Sequence, residues 1–383
     1  MSNPMRQNRA GSRQKFAGQW GDPLKLQQDA KRRLPLDVFD FVEGGSGNEL
    51  ALNRNRRALD KITIQPNLSV PEHAVSLSTQ LFGITYSAPI GIAPIGLAGL
   101  IHPSADMILA KAAARRNWPF ILSCASSSPL SRITKVIGHA PWYQLYAPSI
   151  DIPTKSLLSL PLEQGCPVLV LTVDMSAVGR RLRDVRNGFS PARTKRRLIL
   201  DFLSRPAWAW AQLKAGRITF PNMEHSSPEP ATNDWQSQLR IQTGGEFSWD
   251  RIQEIRDIWP NRLLLKGVLR ADIADEARRI GVDGVIVSNH GGRQLDCVPA
   301  SIETLPAISN AIGQDCTLLD SGIYGGEDIL RAIMHGAKAA FIGRLALRAV
   351  AAGGEARLEQ LLNTLTEDTV RAFAIAGLRN IKY

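Results

Sequence analysis

The segment Gly284-Val-Ile-Val-Ser-Asn-His-Gly-Gly-Arg-Gln-Leu-Asp296 decides how the rest of the chain is read. It opens on an apolar run, rich in β-branched residues, with the length of a buried strand, and two glycines then turn the chain. Between run and turn lie Ser288, Asn289 and His290, so the strand delivers polar groups at its C-terminal end. That is the working unit of a parallel α/β sheet. Similar runs occupy Ala88–Ile95, Pro119–Ala125, Trp142–Tyr146 and Val168–Asp174, then Leu263–Val268, Cys316–Asp320 and Ala339–Arg344. Helical periodicity fills intervals such as Ser104–Arg116, Asp272–Ile280 and Glu327–His335. The strand starts recur roughly every 20–30 residues, the βα repeat length, apart from one gap of about 95 after the fourth. The pattern predicts an α/β fold, a (β/α)8 TIM barrel with an insertion after strand four. A doubly wound sheet would need a G-x-G-x-x-G turn after its first strand, and Gly91, Gly96 and Gly99 lack that spacing.

Composition is consistent with one large domain. The 383 residues are 44% hydrophobic and 21% charged, which excludes a wholly disordered chain. Cys124, Cys166, Cys297 and Cys316 form no C-x-x-C pair, pointing to a reducing, cytoplasmic setting and away from a thiolate metal site. Met1 to Trp20 is basic and lacks the apolar core of a secretory signal, and no run approaches the ~20 apolar residues of a spanning helix. The expected organisation is a basic N-terminal arm over 1–33 and a single barrel over 34–383, with the insertion at about 188–247.

The formal net charge of +11 is partly concentrated in that arm and in the insertion. From Arg193 to Lys214, basic residues flank Leu198, Ile199, Leu200, Phe202, Leu203, Trp208 and Trp210. Such a segment suits the interface of an anionic bilayer, on the inner face of the cell membrane; a helix packed on the barrel with a solvated basic face explains it equally. Glu224 to Gly244 is polar, carries Pro228 and Pro230, and is expected to form a mobile loop over the barrel mouth.

Chemistry-bearing side chains gather at the predicted strand ends, where barrel sites lie. His290 is the candidate base, Asp174 the carboxylate that orients it, and Arg293 the clamp for a substrate carboxylate, with Arg180 or Arg181 as a second. Asp320, Gly322, Gly343 and Arg344 follow strands seven and eight, where barrels bind phosphate. Lys266 ends strand five and suits a developing negative charge on a cofactor ring. A phosphate cofactor, a base and a carboxylate clamp together suggest redox chemistry on an anionic substrate.

These motifs resemble the FMN-dependent 2-hydroxy acid oxidase and dehydrogenase family, over Leu34 to Lys382. They are Ser288-Asn-His-Gly-Gly-Arg-Gln-Leu-Asp296, Leu171-Thr-Val-Asp174, Trp142-Tyr-Gln-Leu-Tyr146, Leu265-Lys-Gly-Val268 and Phe341-Ile-Gly-Arg344. Arg205-Pro-Ala-Trp208 and Ile258-Trp259 are similar to the membrane-associated (S)-mandelate and L-lactate dehydrogenase branch. The resemblance implies FMN at the mouth of the barrel and commonly a tetramer. It implies His290 as base, Arg181 and Arg293 on the substrate carboxylate, and Tyr146 on the substrate hydroxyl. Ser123, Gln144, Thr172 and Ser288 would lie at the flavin, with Ala93, Pro94 and Ile95 beneath it and Lys266 beside its N1 and O2.

Two positions depart from the family pattern. Phe39-Asp-Phe41 stands where a Tyr-Asp-Tyr type segment is expected, so Phe41 offers no hydroxyl to a carboxylate, and a bulkier, more apolar 2-hydroxy acid is expected. Tyr324 replaces the arginine after Asp-x-Gly-x. Ala125 and Gly96 are small and leave room beside the flavin. Electrons would pass to a membrane quinone, or alternatively to O2 with release of H2O2. A degenerate barrel that binds an anionic surface is the reading of another class, opposed by the complete set of His290, both arginines and Lys266. An unusual substrate such as a modified peptide stays open; a nucleic-acid partner is not expected.

Overall fold

The computed structural model describes residues 21–148, 152–189, 194–224 and 244–381. All eight expected strands form one parallel sheet. They are β1 (Ile90–Ile92), β2 (Ile121–Ser123), β3 (Trp142–Tyr146), β4 (Val168–Thr172), β5 (Arg262–Val268), β6 (Gly284–Val287), β7 (Thr317–Leu319) and β8 (Ala339–Ile342). Each pairs with the next, β8 pairs with β1, and the bridge Ile92–Phe120 closes the ring between β1 and β2. Helices on the outside separate the strands, as the right-handed crossover of parallel strands requires.

Two apolar layers hold this arrangement. Inside the ring, Ile121, Trp142, Val168, Val170, Leu264, Ile286, Leu318 and Phe341 pack on one another, so the barrel is filled rather than hollow. A hairpin of Thr79–Leu81 and Ile84–Tyr86 plugs the N-terminal end, where the Trp142 indole donates to the Tyr86 hydroxyl at 2.9 Å. The opposite faces of the strands pack against the helices in a larger cluster. With the lower end stoppered by side chains, the C-terminal mouth remains for a ligand.

Strand register sets functional side chains at two successive levels of that mouth. Ser123 pairs with Gln144, Tyr146 with Thr172, and Thr172 with Lys266. After Lys266 the ladder slips at Gly267, whose φ of 99° and close approach to Asp174 suit glycine: a Cβ there would meet the carboxyl carbon at 2.5 Å.

One stretch differs from expectation. Pro23–Arg33, expected in a basic arm, is a helix that packs on the long C-terminal helical segment with Leu26 and Ala30 buried. Residues 1–20 lie outside the described residues. Within the insertion, Lys195–Ser204 and Pro206–Ala215 are helices joined at Arg205. One side docks on the barrel: Trp208 and Ala209 are buried, and the Trp208 indole donates to the Leu100 carbonyl at 2.9 Å. Ile199, Leu200, Leu203, Trp210 and Leu213 are exposed, Leu203 at 79%. The proposed mobile loop falls almost wholly outside the described residues. Among the described residues no helix is long and apolar enough to cross a membrane.

Candidate active site

A cavity of about 200 Å³ lies at the C-terminal mouth, lined from β1, β3, β4, β5, the loops after β6 and β7, and the start of the helix after β8. His290 enters it from the loop after β6 with a φ of 58°, a left-handed conformation rare for a non-glycine residue. Its Nδ1 lies 3.1 Å from Asp174 Oδ1, which fixes the ring and turns the other nitrogen away from the carboxylate. Burial raises the Asp174 pKa, but His290 and Lys266 more than offset it and hold the carboxyl below the usual range. Tyr146 stacks on the His290 ring at 6.3 Å, and burial pushes its phenol well above the usual tyrosine range, so it remains a donor.

Two guanidiniums share this end. Arg293 donates from Nη1 to the carbonyls of Phe41 and Gly44 at 2.7 and 3.0 Å, acceptors left open where the helix Leu36–Glu43 ends. Burial and then repulsion from Arg181 and Arg344 pull the Arg293 pKa well below the usual arginine range, as befits a positive charge without a carboxylate on it. Arg181 keeps Nε on Asp184 at 2.7 Å. Both guanidiniums lie over Phe41, 5.0 Å from the ring centroid for Arg293 and 5.6 Å for Arg181, while Phe189 stacks on the same ring at 4.6 Å. Arg180, offered by the sequence as an alternative, is exposed and does not line the cavity. The loop carrying Arg181 is tied down by Gln294, which donates to the carbonyls of Asp174 and Ala177, both at 2.9 Å. Gly179 permits this contact, since a Cβ would stand 2.3 Å from the Arg293 carbonyl oxygen.

Further round the mouth, Lys266 is buried between Ser288 Oγ at 2.9 Å and Asp320 Oδ2 at 3.0 Å. Ser123 donates to Gln144 Oε1 at 2.8 Å. Ala93, Pro94 and Ile95 form one wall with Gly96 and Ala125. At the far end stand Gly322, Tyr324, Gly343 and Arg344. Arg344 donates to the carbonyls of Val42, Gly291 and Gly44 at 3.0, 2.7 and 3.0 Å.

Known proteins similar to this chain supply its family. The family model for FMN-dependent dehydrogenases matches residues 30–383. The chain belongs to the FMN-dependent dehydrogenase family. An L-lactate dehydrogenase of Pectobacterium atrosepticum is 36% identical over 355 residues, covering 92% of each chain. The solved (S)-mandelate dehydrogenase, described as a monotopic membrane protein, superposes with a TM-score of 0.86 at 33% identity, covering 94% of this chain and 96% of that one. A mandelate oxidase aligns with a TM-score of 0.79 at 31% identity over the same shares. The activity of this family member is thus FMN-dependent oxidation of a 2-hydroxy acid.

The residues present fit FMN. Gln144 Nε2 and Thr172 Oγ1 are buried with no partner among the described residues; turning the Gln144 amide over would only exchange which end is orphaned. Of the two, Thr172 lines the cavity, where its hydroxyl is open to a polar ligand edge. Ser123, Gln144 and Ser288 do not line the cavity; they stand one layer behind it, and Ser288 serves as the acceptor that fixes Lys266 and as the acceptor for the His290 N–H. The sequence reading passed over Gln294, Met175, Phe189, Arg56 and Arg348. Gln294 lies inside the quoted motif and is accessible to it, whereas Arg56 and Arg348 are held at the site by partners distant in sequence, Asp328 and Glu43.

Proposed function

We propose that the chain oxidises a bulky, apolar (S)-2-hydroxy acid of the mandelate type to the 2-oxo acid and passes the electrons to a membrane quinone. The observation that carries the substrate reading is Phe41: its ring, backed by Phe189 and flanked by Arg181 and Arg293, makes an aromatic wall beside the carboxylate clamp. Arg293 and Arg181 bind the carboxylate. The free nitrogen of His290 takes one proton from the substrate, and Asp174 stabilises the imidazolium. Tyr146, kept protonated by burial, donates to the substrate oxygen as it becomes a carbonyl. FMN, when bound, supplies the two-electron sink. Thr172 would meet its ring system with Ser123 and Gln144 supporting from behind, Ala93 to Ile95 would underlie it, and Lys266 would place positive charge beside it. Asp320, Gly322, Gly343 and Arg344 would face the ribityl chain and phosphate. Removal of two electrons and two protons from the substrate is complete with these parts, whether hydrogen leaves carbon as hydride or proton.

The acceptor reading is supported by the outer face of the insertion. Ile199, Leu200, Leu203, Trp210 and Leu213 are exposed together, with Lys214 set 6.0 Å from the Trp210 ring. Apolar side chains bordered by cations suit shallow entry into an anionic bilayer, at ~1 kcal/mol per cation near the surface. Turnover of a panel of (S)-2-hydroxy acids, with a quinone analogue in anionic vesicles and beside oxygen uptake without it, tests both parts. Aromatic substrates should show the higher kcat/KM, and quinone should be the faster acceptor. Preference for lactate or glycolate would sink the substrate assignment. Oxygen uptake as fast as quinone reduction would make the chain an oxidase.

A further inference from the structure

We propose that Tyr324 binds the phosphate of FMN through its hydroxyl, a role that rests on the cavity being the FMN site. Asn55, Arg56, Asp320, Ser321, Tyr324 and Arg344 are the polar side chains lining this end. Most of their side-chain donors are already committed, although Arg344 keeps a second N–H on each of Nη1 and Nη2. Asn55 donates to Asn289 at 2.8 Å, and Ser321 to Asp320 at 2.9 Å. Arg56 is bidentate to Asp328 at 2.6 and 2.7 Å and also reaches the Gly322 carbonyl at 3.0 Å. Arg344 has each of its three nitrogens on a backbone carbonyl. A phosphate arriving here needs at least one strong donor that the protein has not used.

The Tyr324 hydroxyl is one such donor, beside the remaining N–H groups of Arg344. Arg348 Nη2 donates to the phenol oxygen at 3.3 Å, which occupies a lone pair and leaves the phenol proton to point elsewhere. No acceptor among the described residues takes that proton. The ring itself is clamped: the Arg348 guanidinium lies 4.7 Å from its centroid, Arg56 lies 5.8 Å away, and the Tyr324 N–H donates to Asp328 at 2.9 Å. Arg348 cannot reach a ligand in place of the phenol, because it is buried in a bidentate pair with Glu43 at 2.7 and 2.6 Å. Gln27, from the first helix, donates to the same carboxylate. Arg348 is therefore a positioning residue for the phenol. The departure at 324 exchanges a charged donor for a neutral one held in a fixed direction, on a wall where Gly322 and Gly343 let the backbone come close.

The full-length chain, stripped of flavin and titrated with FMN and with riboflavin, separates the phosphate contact from everything else in the site. Tyr324→Phe keeps the ring between the two guanidiniums and removes only the hydroxyl. It should weaken FMN about 10- to 100-fold, the range for a hydrogen bond to a charged group, and leave riboflavin within about twofold. The thermal midpoint of the flavin-free variant should match that of the parent. Equal weakening of both flavins, or no weakening of FMN, would overturn the proposal. A parent chain that bound riboflavin as tightly as FMN would overturn it too, since this end would then hold no phosphate. A parent that bound neither flavin would instead remove the FMN reading on which it rests.

Discussion

The two ends of the cavity are both lined with arginine, yet they treat its charge differently. At the His290 end, Arg293 uses one nitrogen on backbone carbonyls and leaves the others free among the described residues, while Arg181 spends only Nε on Asp184. At the Tyr324 end, Arg56 and Arg348 are paired with the carboxylates of Asp328 and Glu43, and Arg344 places each nitrogen on a carbonyl oxygen. A buried guanidinium without a carboxylate is costly, and the lowered pKa values of Arg293 and Arg344 express that cost. Such groups mark where anions bind, a substrate at Arg293 and a resident phosphate at Arg344. Guanidiniums paired with carboxylates, Arg56 and Arg348, mark a wall built in advance.

Removing the open charge should have the largest consequence. Arg293→Met should lower kcat/KM for 2-hydroxy acids roughly 30- to 1,000-fold, the range for losing one partner of a buried charge pair. FMN affinity should change little, because Arg344 keeps its own bonds to Val42, Gly44 and Gly291 without Arg293. A variant that instead lost its flavin and kept its kcat/KM when reloaded would break the distinction between the ends.

Tyr146→Phe sharpens the picture within the substrate end. Loss of the donor should cost kcat roughly 10- to 100-fold, somewhat less than removal of a full oxyanion donor. Because burial raises the phenol pKa, the parent enzyme retains this proton through alkaline pH, and the cost should be the same at about pH 7 and about pH 9.5. Rate profiles of parent and variant that converged at the higher pH would show the phenol ionising in its ordinary range.

The smallest effect is expected from restoring the hydroxyl on the aromatic wall. Phe41→Tyr should lower KM for lactate about 3- to 10-fold, as one added hydrogen bond to a carboxylate would, and should help mandelate less. Equal gains for both acids would remove Phe41 from the specificity argument.

The difference between the ends also explains how much the sequence discloses. The eight strands are legible because each is an apolar run that ends abruptly in polar residues, and Gly284 to Asp296 carries a strand, a base and an arginine together. His290, Asp174, Arg181, Arg293 and Tyr146 are found for the same reason, and the structure brings them to one end of one cavity. What is hidden depends on pairing between distant segments. Nothing local to Arg348 announces Glu43, and nothing near Arg56 announces Asp328. The N-terminal helix was read as an arm because its sequence is strongly basic, with only Leu26 and Ala30 buried along its length. In the insertion, periodicity alone did not separate the buried Trp208 from the exposed Trp210, two positions apart on a helix that packs on one side only.

Anaerobic titration of the FMN-loaded protein with (S)-mandelate, followed at the flavin absorbance bands, tests the central claim most directly. The account predicts complete bleaching by the parent and retention of colour by His290→Gln with intact FMN binding, since only the base is removed. Flavin that stayed oxidised in the parent against mandelate, lactate and longer 2-hydroxy acids would contradict it.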